Sequence, residues 1–339
     1  MGHLTSGGDT MSPSSPTCSG SPRSPPIFKR FCWAGFETSR SSGPEREDSD
    51  SGTTLSLPRF VQSALSRMSV NCAARSPLQK YAIGRVVAYG STSRVHIATD
   101  TTTGQEWACK IITESSATAT VLQEVELLRQ VADHPNIISY REHFFDEGLL
   151  HIIMEYVEGV DLGLAIAQRG SFAEEDAREV FRQLLSAVEY LHLKGIAHRD
   201  IKVDNILVTS TDHTSIKLVD FGMAAQLRGE GDAFTDSCGT PYFVAPEVVE
   251  IHPAYGSRCD VWSLGIVLHL MLVGYYPFQS SDVPTLLALI RRGVVRYRDP
   301  VWELISPSAK ELVNSLLTKD PQLRPSAHVV LNSRSWLHQ

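Results

Sequence analysis

Residues 198–205 read HRDIKVDN, and DFG follows at 220–222, fifteen positions beyond Asn205. Asp200 is a candidate proton acceptor, while Asn205 and Asp220 supply amide and carboxylate oxygens suited to a hard divalent cation. Working outward, the chain carries a glycine-poor loop, AYGSTSRV, at 88–95, WACK at 107–110, APE at 245–247 and DVWSLG at 260–265. A lone HRD or DFG would mean little. Six such motifs in one order are hard to obtain by accident.

Composition narrows the classes. With 339 residues, 42% of them hydrophobic, the chain can build a substantial core as two lobes or domains and still carry a tail. A formal net charge of -7 argues against a nucleic-acid partner, whose usual footprint is a basic surface. The six cysteines, Cys18, Cys32, Cys72, Cys109, Cys238 and Cys259, form no CxxC pair, which points to a reducing, cytoplasmic or nuclear setting. No apolar run approaches the eighteen residues of a membrane span, so we expect no membrane partner. MGHLTS fits the loose acylation pattern at Gly2, but a single acyl chain without a neighbouring basic cluster binds membranes only marginally.

Residues 1–78 are rich in Ser, Pro, Gly and Thr, with acids at Glu45, Glu47, Asp48 and Asp50, and read as a tail that cannot bury enough surface to offset its chain entropy. Five Ser-Pro steps, at Ser12, Ser15, Ser21, Ser24 and Ser76, are candidate proline-directed phosphorylation sites, and a short helix is expected over 57–68. From Gln79 the pattern alternates as paired strands through YAIGRVVAYG, SRVHIAT and EWACKII, with a turn at 103–104. Helical spacing of Val121, Leu122, Val125, Leu128 and Val131 predicts a helix over 119–131, and two more strands follow it. Ser171 and Glu174 are then expected to form a capping box for a long amphipathic helix with a stripe at Ala177, Val180, Phe181, Leu184, Val188 and Leu191.

On these motifs the chain resembles a eukaryotic protein kinase of the serine/threonine type, similar to the calcium/calmodulin-dependent and AMP-activated group, over about residues 80 to 338. The resemblance implies an α+β, bilobal fold: a small β-sheet lobe with one helix at 79–156 and a larger, mainly helical lobe at 157–338. It implies ATP and Mg²⁺ as cofactors, protein Ser/Thr hydroxyls as acceptors, and an upstream kinase or regulatory subunit as a further partner. The chain ends three residues after Trp336, so no calmodulin-binding segment is expected beyond the closing helices.

Residue by residue, the resemblance makes Lys110 the ligand of the α- and β-phosphates and Glu124, preferred to Glu126, its ion-pair partner. Asp200 would accept or orient the substrate hydroxyl, Lys202 would neutralise the moving phosphoryl group, and Asn205 and Asp220 would hold the metal. Ala88, Gly90 and Ser93 stand at the three glycine positions of the phosphate loop, ahead of Val95. Val95, Ala108 and Leu207 would sandwich adenine, with Met154 behind it and the Glu155 to Val157 backbone offering hinge hydrogen bonds. His198 and Phe221 would stack with Leu128 and Tyr140, Asp260 would tie the catalytic loop, and Glu247 would pair with Arg324.

Two functions compete on this reading. The first is a Ser/Thr kinase acting in basic sequence contexts, with Asp161 and Asp204 receiving arginine and Asp236 standing where related kinases often carry a phosphothreonine facing Arg199. The alternative is a pseudokinase scaffold, suggested by Ala88 and Ser93 in place of glycine.

Overall fold

The computed structural model describes residues 77–112, 119–209, 214–227, 229, 231–297, 299–333 and 336–339. The helix expected over 57–68, the Gly2 pattern, the acidic cluster and the Ser-Pro steps lie outside these residues, apart from the proline that follows Ser76.

Five antiparallel strands form the small lobe: β1 (Tyr81–Tyr89), β2 (Ser93–Asp100), β3 (Glu106–Ile112), β4 (Tyr140–Asp146) and β5 (Leu149–Glu155), in the order β1-β2-β3-β5-β4. Between β2 and β3 the Asp100 carboxylate accepts the Thr102 and Thr103 amides at 3.0 and 3.1 Å, which makes the tight turn at 103–104. Helix α1 (Ala119–Val131) lies between β3 and β4 in the chain and buries Val125, Leu127, Leu128 and Val131. Glu124 is buried on the same helix, an arrangement that requires a partner.

After β6 (Gly159–Asp161) the chain is largely helical: α2 (Leu162–Arg169), α3 (Glu174–Leu193), α4 (Arg258–Val273), α5 (Val283–Arg292), α6 (Pro307–Leu316) and α7 (Ala327–Asn332). Short ladders hold the loops between α3 and α4: β7 (Ile196–Ala197) pairs with β10 (Ala225–Gln226), and β8 (Ile206–Thr209) lies between β6 and β9 (Ile216–Leu218). All six stripe positions of α3 are buried. Helix α4 is apolar on every side and buried from Cys259 to Val273, so it forms the centre of the large lobe. It ends at Gly274, at φ 77°, where a Cβ would sit 2.1 Å from the Gly170 carbonyl oxygen; only glycine fits.

One local expectation fails. Helix α3 starts at Glu174, capped at Ala173 without a side-chain bond, so Ser171 and Glu174 form no capping box. Glu174 instead accepts from the Ser306 amide at 2.6 Å, the Ser306 hydroxyl at 2.8 Å and Trp336 Nε1 at 2.7 Å. Three long-range donors outcompete one local amide, and they fasten the closing segment of the chain to α3.

Candidate active site

Lys110 points from β3 into the interface with α1. Its Nζ donates to Glu124 Oε1 at 2.5 Å and to Asp220 Oδ1 at 3.0 Å. Lys110 and Glu124 are each only 6% exposed, so the pair lies in a low-dielectric setting where losing either member would strand a charge. Glu126, two residues on, sits near the surface against Arg129 and Gln130. Asp220 takes a left-handed backbone, φ 65°, as does Arg199 at φ 62°. Such conformations in non-glycine residues cost about 1–3 kcal/mol each and persist only where surrounding contacts enforce them.

Those contacts converge on the catalytic loop. Asp200 Oδ1 accepts the Thr240 hydroxyl at 2.7 Å, and Oδ2 meets Lys202 Nζ at 3.0 Å and Asn205 Nδ2 at 3.1 Å. Lys202 also donates to Thr240 Oγ1 at 3.0 Å, closing a ring between the loop and the segment that begins at Gly239. Because Asn205 donates from Nδ2, its Oδ1 is left as the ligand atom. The Val219 amide donates to the Asn205 carbonyl at 2.9 Å, bringing the chain entering Asp220 alongside Asn205.

From the buried start of α4, Asp260 accepts the backbone amides of His198 and Arg199, both at 2.9 Å. His192 Nε2 lies 2.9 Å from the same carboxylate. Burial opposes charge on Asp260, yet the His192 hydrogen bond and charge, aided by His198, hold its carboxyl below the ordinary value. The anion therefore clamps the strained loop from beneath.

Above the loop, Val95, Ala108, Val157 and Leu207 are half-buried and Met154 is buried. Val95 lies opposite Lys110 across β2 and β3, and Ala108 lies opposite Met154 across β3 and β5. At the tip of the first hairpin, Ala88 pairs with Val95 and the Gly90 amide donates to the Ser93 carbonyl at 2.8 Å. A Cβ on Gly90 would fall 2.6 Å from Ser93 Oγ, so a side chain there would require the Ser93 hydroxyl to turn away. At the hinge, the Glu155 amide donates to the Ser139 carbonyl at 2.9 Å and its carboxylate accepts from Lys217 at 2.8 Å, so Glu155 is anchored through both its amide and its side chain.

The remaining predicted residues separate into those that meet and those that do not. Arg199 Nη1 donates to Asp236 at 2.6 Å. Arg324 holds Glu247 through two bonds, at 2.6 and 3.0 Å. The His198 and Phe221 rings are 5.0 Å apart, while Leu128 and Phe221 belong to one core against which Tyr140 packs. Asp161 caps α2, accepting the Leu164 amide at 2.8 Å, and Asp204 is exposed. The roles of Thr240 and His192 escaped the sequence reading, since their contacts span 40 and 68 residues and no local pattern marks them.

The donor set suits Mg²⁺. One amide oxygen and one carboxylate fit a hard ion that keeps waters and borrows phosphate oxygens, and no cluster of three His, Cys, Asp or Glu is present among the described residues. The protein kinase domain model matches residues 81–337. The chain is 37% identical over 271 residues to serine/threonine-protein kinase 33 of Mus musculus, covering 76% of this chain and 54% of that protein. It is 38% identical over 253 residues to a probable myosin light chain kinase of Dictyostelium discoideum, covering 74% of this chain and 80% of the relative. Calcium-dependent protein kinase 10 of Oryza sativa subsp. japonica is 32% identical over 304 residues, 88% of this chain and 49% of the rice protein. The chain thus spans about half the length of the mouse and rice relatives. It belongs to the eukaryotic protein kinase family, on the serine/threonine branch related to the calcium/calmodulin-dependent group.

Proposed function

We propose that the chain is an active ATP-dependent protein serine/threonine kinase that transfers the γ-phosphoryl group to Ser/Thr hydroxyls in basic sequence contexts. The observation that carries this reading is the closed set of contacts: Lys110 held between Glu124 and Asp220, and Asp200 held by Lys202, Asn205 and Thr240. Asp200 orients the acceptor hydroxyl and takes its proton, Lys202 offsets the charge of the transferred group, and Lys110 positions the α- and β-phosphates. Asn205 Oδ1 and the Asp220 carboxylate hold Mg²⁺, which when bound supplies neutralising charge at the phosphates. Ala88 and Ser93 tune phosphate approach, while the charged groups carry most of the rate.

Residues 79–156 act as the small lobe and 157–338 as the large one. Control falls on the segment between Asp220 and Glu247, through an upstream kinase or regulatory subunit. The buried thiols of Cys109, Cys238 and Cys259 suit a reducing cytoplasmic or nuclear compartment. A radiolabelled-ATP assay against a generic basic protein tests the proposal. Incorporation that requires Mg²⁺ and Asp200 supports it, and nucleotide binding without turnover would favour the pseudokinase scaffold.

A further inference from the structure

Three segments far apart in sequence meet on the large lobe away from the catalytic residues. The Arg291 guanidinium at the end of α5 donates to the Val249 carbonyl, and the Lys319 side chain lies over Gly293, whose added Cβ would be 3.1 Å from Lys319 Cβ. Large apolar side chains stand exposed here: Ile251 at 86%, Leu323 at 75% and Val294 at 62%. Around them Arg291, Arg292, Arg296 and Lys319 are exposed. Arg292, Arg296 and Lys319 have no ion-pair partner among the described residues, in a chain with 38 acids to 31 Lys and Arg.

The acids nearby, Glu250, Asp299 and Asp320, offset part of this charge. Asp299 and Asp320 are each bonded to a backbone amide, Val301 at 3.0 Å and Gln322 at 2.8 Å, and Glu250 stands at the Ile251 edge. A cationic rim around exposed apolar groups is the complement of an acidic segment with apolar residues close by. The chain contains one: EREDSD at 45–50, followed by Leu55, Leu57 and Phe60.

We propose that this face, formed by 249–251, 291–296 and 319–323, docks the acidic segment 45–50 of the same chain. Reach permits it. Residues 51–76 span at most about 90 Å when extended, against a diameter of about 50 Å for a domain of this size. The contact does not depend on catalysis, so it stands or falls apart from the activity assigned above.

Carbodiimide coupling of the full chain, mapped by mass spectrometry, reads the contact directly, because it joins a lysine to a carboxylate only when they touch. Cross-links from Lys319 to Glu45, Glu47, Asp48 or Asp50 are expected at about 0.05 M salt. They fall about fivefold at about 0.5 M, where the Debye length has shrunk from about 14 to about 4 Å. Arg292→Glu with Arg296→Glu removes them without lowering the melting temperature, since both side chains are exposed. Adding Glu47→Arg and Asp48→Arg to that variant restores coupling through Glu45 and Asp50. The absence of wild-type cross-links, or their indifference to the arginine reversal, would overturn the proposal. Mixed products from a blend of isotopically heavy and light chains would assign the face to a second copy. Association with phosphatidylserine vesicles that needs Arg292 and Arg296, in place of the cross-link, would assign it to a lipid surface.

Discussion

Replacing Asp236 by alanine removes the carboxylate that meets Arg199 at 2.6 Å. Arg199 keeps its other contacts, the Met223 carbonyl at 2.8 Å and the Phe234 ring at 4.7 Å, so the catalytic loop stays supported while the activation segment loses one tether. Asp236 is 59% exposed, and the pair must be discounted for solvent screening to about 1 kcal/mol or less. That corresponds to roughly a fivefold loss in the ordered population of the segment. Phosphatase-treated wild type should therefore turn over without activating phosphorylation, and Asp236→Ala should lower kcat/KM by up to about fivefold, with the gap closing as salt rises. Asp236→Glu should retain most of the activity. Initial rates on a basic peptide at two ionic strengths provide the measurement. Complete inactivity of the dephosphorylated wild type, or an alanine variant as active as the wild type at low salt, would refute the reasoning.

Three further outcomes follow from the geometry. Lys110→Met and Asp220→Asn should each abolish phosphoryl transfer in a radiolabelled-ATP assay; Lys110→Met should also lower stability by about 3–5 kcal/mol in denaturant titrations by stranding buried Glu124, and Asp220→Asn should weaken the Mg²⁺ dependence of nucleotide binding. Burial pushes the His269 imidazole down to about 4 from 6.5, and its Nε2 has no hydrogen-bond partner among the described residues. Its native state is therefore neutral, so the stability it contributes is complete above pH 6.5 and falls by up to about 3 kcal/mol as pH drops toward 4; His269→Phe should flatten that part of a melting profile against pH. Asp161→Asn should reduce the preference for arginine three residues upstream of the acceptor while preserving the α2 cap, whereas Asp161→Ala should lose both, at about 1 kcal/mol of stability; a positional peptide library and a melting curve separate the two effects.

The candidate catalytic side chains were legible because their chemistry leaves local marks. Asp200, Lys202 and Asn205 lie within six residues, and the strand carrying Lys110 and the helix carrying Glu124 each announce themselves by period. The capping box at Ser171 and Glu174 was misread for the opposite reason. The pattern is local, but the carboxylate found better donors in Ser306 and Trp336, more than 130 residues away. Asp161 carries a local role beside the one assigned to it, with Oδ1 accepting the nearby Leu164 amide.

Sequence by itself marked the small-lobe strands, the helix over 119–131 and the long helix that follows them through periodicity, and it pointed to the fold class through the motifs and the resemblance they carry, since both are properties of neighbouring positions. Tertiary structure alone decided how the charges of the site are held. His192 reaches Asp260 across 68 residues, Thr240 bridges Asp200 and Lys202, and Lys110 is shared with an aspartate 110 residues away. Each of these bonds joins groups whose separation along the chain carries no information about their distance in space, and buried charges are satisfied only where packing of the two lobes brings their partners within about 3 Å.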